Sequence, residues 1–310
     1  MFIRILGSSA GGGFPQWNCN CRNCAAVRAG KPGFRARTQS SLAVSRTGVD
    51  WLLLNASPDL RMQIEQAPQL AARSEGAARN SPIKAVVVTN GDVDHVAGLL
   101  TLREAQSFTI YGAKRVLDVL AANSLFNVLA ADLVGRKVLP IGVPTKIFGA
   151  GLDLGLTVEA FAVQGKIALY LEDAAAGPNF GTQQGDTLGL KISDTATGEA
   201  FFYLPGCAKI DAELAERLRG AALVFFDGTL WHDDEMIAQG LLGKTGTRMG
   251  HVNMSGPDGS IAGFAPLGVA RKVYIHINNS NPVLDEASIE RKTAQAAGWE
   301  IGYDCMEITL

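Results

Sequence analysis

Short apolar runs punctuated by Gly, Pro, Asn and Asp dominate the chain. Residues 2–6 (FIRIL) predict a first strand. Residues 41–45 (SLAVS) and 51–55 (WLLLN), joined by the Gly-containing RTGVD, predict a hairpin. Residues 83–89 (IKAVVVT) are an unbroken, β-branched run, the pattern of a strand covered on both faces. Further strands are predicted at 155–163, 186–193, 199–204, 222–227 and 272–277. The helical period recurs at 59–67, 96–106, 113–122 and 211–219, and at 285–297 behind Pro282. Two polar stretches, 69–82 and 171–185, read as long loops. Helices arriving singly between pairs of strands suit two mixed sheets with helices on their outer faces. No internal repeat and no linker divides residues 1–310, so one domain is expected.

Composition narrows the function classes. With 310 residues, 47% hydrophobic and 19% charged, the chain can bury a large core. A net charge of −2 offers no footprint for nucleic acid or an anionic membrane. MFIRILGSS turns polar too soon for a signal peptide, and no apolar run reaches bilayer length. Five cysteines, three of them within one hexapeptide, do not form a secreted disulfide framework. A soluble, cytoplasmic protein is expected.

Three segments carry chemistry. In NCNCRNC, Cys19, Cys21 and Cys24 bring three thiols into one tight loop, a donor set suited to structural zinc. The alternative is three unconnected cysteines. The fourth zinc ligand is open between Cys207, Cys305, Asn279 and a histidine. The glycine-rich GSSAGGGFPQW (7–17) lacks phosphate-loop and dinucleotide spacing and reads as a turn that needs close backbone approach. In TNGDVDHVAGLL (89–100), a strand ends and a helix begins, the usual place for a site in a sheet protein. Here Asp94 and His95 either meet a metal, or Asp92 or Asp94 caps the helix. Two other strand ends favour the metal, since Asp227 closes ALVFFD and His276 closes KVYIHI. His251, in the polar RMGHVNMSG, is either a substrate contact and acid–base group or a surface-loop histidine. His232 stands outside or behind the site.

Together, LGSSAGGGFPQWNCNCRNC, LLLNASPDL, VVVTNGDVDHVAGLL, DTLGLKIS, FFDGTLW, GHVNMS and YIHINNSNP resemble the metallo-β-lactamase superfamily over essentially the whole chain. The nearest branches hold tRNA 3′-processing endonucleases and cyclic-phosphate phosphodiesterases. NASPDLRMQI, DVDHVAGLLTLRE, FFDGTLWHDDEM and HINNSNPVL sharpen the resemblance to the coenzyme PQQ (pyrroloquinoline quinone) synthesis B family.

This resemblance implies an α/β (α+β) fold, a four-layer αββα sandwich. It also implies that one of the two usual metal positions is lost. Asn90 and Asp92 stand where H-x-H-x-D-H has its first histidines, and Gly165-Lys166 stand where a later one belongs. The other position maps onto Asp94, His95, Asp227 and His276. A single ion with open positions suits Fe(II), or another divalent metal, better than two-metal hydrolysis. The expected activity is O2-dependent hydroxylation of the tyrosine ring in a peptide-derived, cross-linked Glu–Tyr intermediate, with structural zinc at the cysteines. Asp92 would be an extra ligand or an acceptor behind a histidine, and His251 a proton shuttle or phenol contact. Other PQQ-pathway proteins and a second copy of the chain remain open as partners. The alternatives are a phosphodiesterase-like metal hydrolase and a non-catalytic protein that binds or transports PQQ or its intermediate.

Overall fold

In the computed structural model, residues 1–177 and 179–310 are described. The strands are, in chain order, β1 (Phe2–Gly7), β2 (Ser41–Ser45), β3 (Trp51–Leu54), β4 (Ile83–Val87), β5 (Phe108–Gly112), β6 (Val134–Val138) and β7 (Thr145–Gly149). They continue as β8 (Leu152–Ala162), β9 (Leu188–Asp194), β10 (Ala200–Leu204), β11 (Leu223–Asp227), β12 (Arg271–Ile275), β13 (Trp299–Ile301) and β14 (Glu307–Thr309). They build two mixed seven-stranded sheets, ordered β14-β1-β2-β3-β4-β5-β6 and β13-β12-β11-β10-β9-β8-β7. This is the expected metallo-β-lactamase arrangement of two mixed sheets flanked by helices.

Local sequence explains the central strands. β4 runs parallel between β3 and β5 and is buried along almost its whole length, as its β-branched run requires. Side chains from both sheets, among them Leu42, Leu53, Val86, Leu156, Leu190, Phe201 and Phe225, form one shared core. A second core, with Phe226, Phe264, Tyr274 and Trp299, lies outside the second sheet. Because β3, β4, β11 and β12 run parallel within their sheets, the C-terminal ends of β4, β11 and β12 can open onto one edge.

All nine predicted strands, the hairpin included, hold to within a few residues. β5, β6, β7, β13 and β14 were not predicted; they are short or carry weak alternation. The helix predicted at 96–106 is instead one α-turn, α1 (Val93–Val96), followed by 3-10 turns over Ala97–Leu102. The loop predicted at 171–185 is made of short turns, with Pro178 outside the described residues. No helix among the described residues is long and apolar enough to cross a membrane.

Candidate metal centre

β4 delivers Thr89 and Asn90, and α1 starts three residues later, at Val93. Asp92 takes the N-cap position through its backbone: its carbonyl accepts from the His95 and Val96 amides (2.9 and 3.1 Å), while its carboxylate caps nothing. Cap and site are therefore compatible, and the short turn lets adjacent Asp94 and His95 face one cavity.

His95 is 1% exposed. Its Nδ1 lies 2.7 Å from Asn90 Oδ1, an acceptor, so Nδ1 carries the proton. Nε2 is left bare, buried and without a partner. It lies 3.8 Å from Asp94 Oδ2, which is itself 3.1 Å from His276 Nε2. A divalent ion with ligands near 2.1 Å spaces tetrahedral donors about 3.4 Å apart, so the three atoms have roughly the dimensions of three corners of such a shell. An orphaned imidazole nitrogen beside a carboxylate oxygen is what such an ion would satisfy. Burial opposes the Asp94 charge, yet the neighbouring imidazoles of His95 and His276 hold its carboxyl well below the usual range. Burial pushes His95 down. His276, although buried too, is held above its ordinary value by Asp94 and Asp227.

Asp227, at the end of β11, falls in a second group with His251 and His276. Its Oδ1 accepts from the Thr229 amide and hydroxyl (3.0 and 2.7 Å). Its Oδ2 accepts from the Cys207 amide and lies 2.6 Å from His251 Nδ1. Four donors occupy this fully buried carboxylate. Thr229, having given its proton to Asp227, accepts at 2.9 Å from His276 Nδ1. All three imidazoles are thus anchored through Nδ1, with His95 Nε2 left bare and His276 Nε2 set against Asp94 Oδ2.

The structure brings the expected residues Asp94, His95, His251 and His276 to one cavity of about 320 Å³, with Asp227 behind it. Asp92 lines the same cavity but belongs to neither ligand group: its Oδ1 accepts from Lys166 Nζ and the Leu169 amide, both at 3.4 Å. The acceptor behind His95 is Asn90 instead. Sequence reasoning gave no role to Asn90, Thr229 or Lys166, because neutral side chains and a lone lysine carry no signature until folded. Asn90→Ala is expected to weaken ion binding roughly 10–100-fold, as loss of an outer partner does, measured by Co(II) titration.

The cysteines form a separate cluster, with Cys19, Cys21 and Cys24 Sγ within 4.8 Å of one another. Asn279 Nδ2 stands 3.1, 3.6 and 3.3 Å from them. Around zinc, with Zn–S near 2.3 Å and Zn–O near 2.0 Å, sulfur and oxygen ligands sit about 3.5 Å apart. Exchanging the amide's N and O, which differ only in hydrogen-bond assignment, turns this cage into three thiolates and a carbonyl oxygen. Cys207 and Cys305 lie elsewhere, against Lys209 and Gln66 carbonyls.

Residues 50–277 match the Beta-lactamase superfamily domain. The chain is 51% identical to the coenzyme PQQ synthesis protein B of Bradyrhizobium diazoefficiens over 309 residues, 99% of each chain. It is 48% identical to that of Methylorubrum extorquens over the full length of both. The crystal structure of zinc-bound PqqB from Methylobacterium extorquens superposes with a TM-score of 0.94 at 48% identity, covering both chains fully. A diphosphatase of the PhnP family (18% identity, TM-score 0.69, 100% of this chain and 97% of that one) shares the fold.

Proposed function

Starting from the fact that the chain belongs to the coenzyme PQQ synthesis protein B family of the beta-lactamase superfamily, we propose that it serves PQQ biosynthesis as a metal-dependent enzyme with one active-site ion. Asp94, His95 and His276 would hold that ion, and Fe(II) is the metal we assign. The observation that carries this reading is the bare, buried Nε2 of His95, aimed between Asp94 and His276. Lys166 argues against a second ion. Its ammonium, held at 3.4 Å by Asp92, stands in the cavity where it would repel a second cation and occupies the carboxylate that such a cation would use.

When bound, Fe(II) supplies one-electron chemistry with O2. The protein positions the substrate, a cross-linked Glu–Tyr species, for hydroxylation of its tyrosine ring. His251, backed by Asp227, stands where it can take the phenolic proton on Nε2. Lys166, Lys244 and Arg248 line one wall and suit the carboxylates of the substrate. Arg248 is already paired with Glu172 at 2.7 and 3.1 Å and Lys166 with Asp92 at 3.4 Å, so Lys244 is the freer cation. Leu169, Met236, Leu242 and Met249 give the ring an apolar setting. Cys19, Cys21, Cys24 and Asn279 would hold a structural zinc.

The test is anaerobic loading with Fe(II), then addition of O2, ascorbate and the Glu–Tyr conjugate. One oxygen atom should enter the ring while the other leaves as water, with ascorbate giving two electrons. Metal analysis should find about one zinc and one exchangeable ion per chain. No O2 uptake above the metal-free control would sink the hydroxylase reading. Phosphodiester cleavage would favour a hydrolase, for which Asp227, His251 and His276 offer another ligand group.

A further inference from the structure

His276 sits at φ +54°, a left-handed conformation that costs a non-glycine residue about 1–3 kcal/mol unless its surroundings impose it. The segment that imposes it is 277–281. The Ile277 amide donates to Ser8 O at 2.9 Å, and Ile277 O accepts from the Ala10 amide at 2.9 Å. The Asn278 amide donates to Thr229 O at 3.0 Å. Asn279, three residues beyond His276, turns its side-chain amide into the three cysteine sulfurs. From the cysteine loop itself, Asn23 Nδ2 donates to Asn279 O (3.1 Å) and Asn281 O (2.9 Å). Asn281 Nδ2 in turn donates to Gly228 O (3.0 Å) and Thr229 O (3.3 Å). Thr229 is the residue whose hydroxyl holds both His276 Nδ1 and Asp227 Oδ1.

One short loop thus ties the cysteine cluster to the conformation of His276 and to the hydroxyl behind its imidazole. We propose that Asn279 is a positioning residue: by completing the metal cage of Cys19, Cys21 and Cys24, it aims His276 at the active-site ion and couples that ion's affinity to the cysteine cluster. The idea rests on the reading that the cysteines hold zinc and that Asp94, His95 and His276 hold the second ion. Without a filled cage the three sulfurs and the Asn279 amide lose the ion that draws them together. His276 is then free to relax out of its strained backbone, and the shell of the second ion loses a preorganised member.

The experiment uses the full chain. The zinc content of the wild-type chain is measured first, and Co(II) is then titrated into the active site and followed by its d–d absorption. Asn279→Ala should lose the cysteine-bound zinc and bind Co(II) roughly 10–100-fold more weakly. Asn279→Asp, which keeps an oxygen donor, should restore both. Leu120→Ala, a core truncation in the helix Lys114–Ala122, controls for general destabilisation and should lower the melting temperature without moving Co(II) affinity. Zinc loss in Asn279→Ala with unchanged Co(II) affinity overturns the coupling alone. A wild-type chain with no thiolate-bound zinc overturns the zinc reading and the coupling with it. Equal weakening in Leu120→Ala also overturns the coupling, since affinity would then track stability.

Discussion

Asp94→Asn is expected to empty the active site while leaving the cysteine-bound zinc in place. The substitution conserves size and keeps one oxygen, so the fold should tolerate it; Asp94 is only partly buried, at the mouth of the turn. What disappears is the negative charge facing the imidazoles of His95 and His276. Loss of an outer partner costs roughly 10–100-fold in affinity; loss of the one charged inner donor should exceed that. An effect of at least ~1000-fold, about 4 kcal/mol, is anticipated by Co(II) titration, with hydroxylation falling below detection. Metal content should drop from about two ions per chain to one. If two ions remain after dialysis, Asp94 is not a ligand. If pathway function persists while the ion is lost, a binding or transport role replaces the catalytic one.

Gly98→Ala should have a large effect on stability. A Cβ at this position would lie 2.1 Å from Ser57 O and 2.8 Å from Ala56 C and O, all backbone atoms with no flexible side chain to yield. Two hydrogen bonds dock this turn on the end of β3, from the Ala56 amide to His95 O (2.8 Å) and from the Gly98 amide to Ala56 O (2.9 Å). Alanine favours helical backbone over glycine by about 1 kcal/mol. Against that stand overpacking of about 1–3 kcal/mol and up to two strained hydrogen bonds at about 1 kcal/mol each. With both bonds strained the clash wins by an expected ~2–4 kcal/mol, a large share of the 5–15 kcal/mol that a folded protein has in total. Denaturant unfolding should show it as a lower midpoint with an unchanged slope. Because the same bonds locate His95, weaker Co(II) binding should accompany it. An unchanged midpoint would mean the turn can lift without cost, and that its docking does not position the ligand.

Much of this protein is written locally. Alternation and β-branched runs placed nine strands, since burial of a strand face leaves a period that neighbouring residues carry themselves. Spacing alone gathered Cys19, Cys21 and Cys24, because three thiols in six residues can hardly avoid one another. The turn after β4 was legible too: a buried strand stopping at Asn90-Gly91 must hand Asp94 and His95 to one edge of the sheet.

The partners of those residues were decided only by the fold. Asn90 stands behind His95, Thr229 joins His276 to Asp227, and Lys166 reaches Asp92 across 74 positions of sequence. Asn279 was one of several candidates for the cysteine cage until the end of β12 brought it there, 255 residues from Cys24. Asp227 looks like an ordinary ligand at a strand end, yet four donors surround it once β10 and β11 lie side by side. Hydrogen bonds to neutral side chains leave no periodic trace along a chain. They depend on which strand ends meet, and strand ends meet through sheet pairing and burial of the shared core.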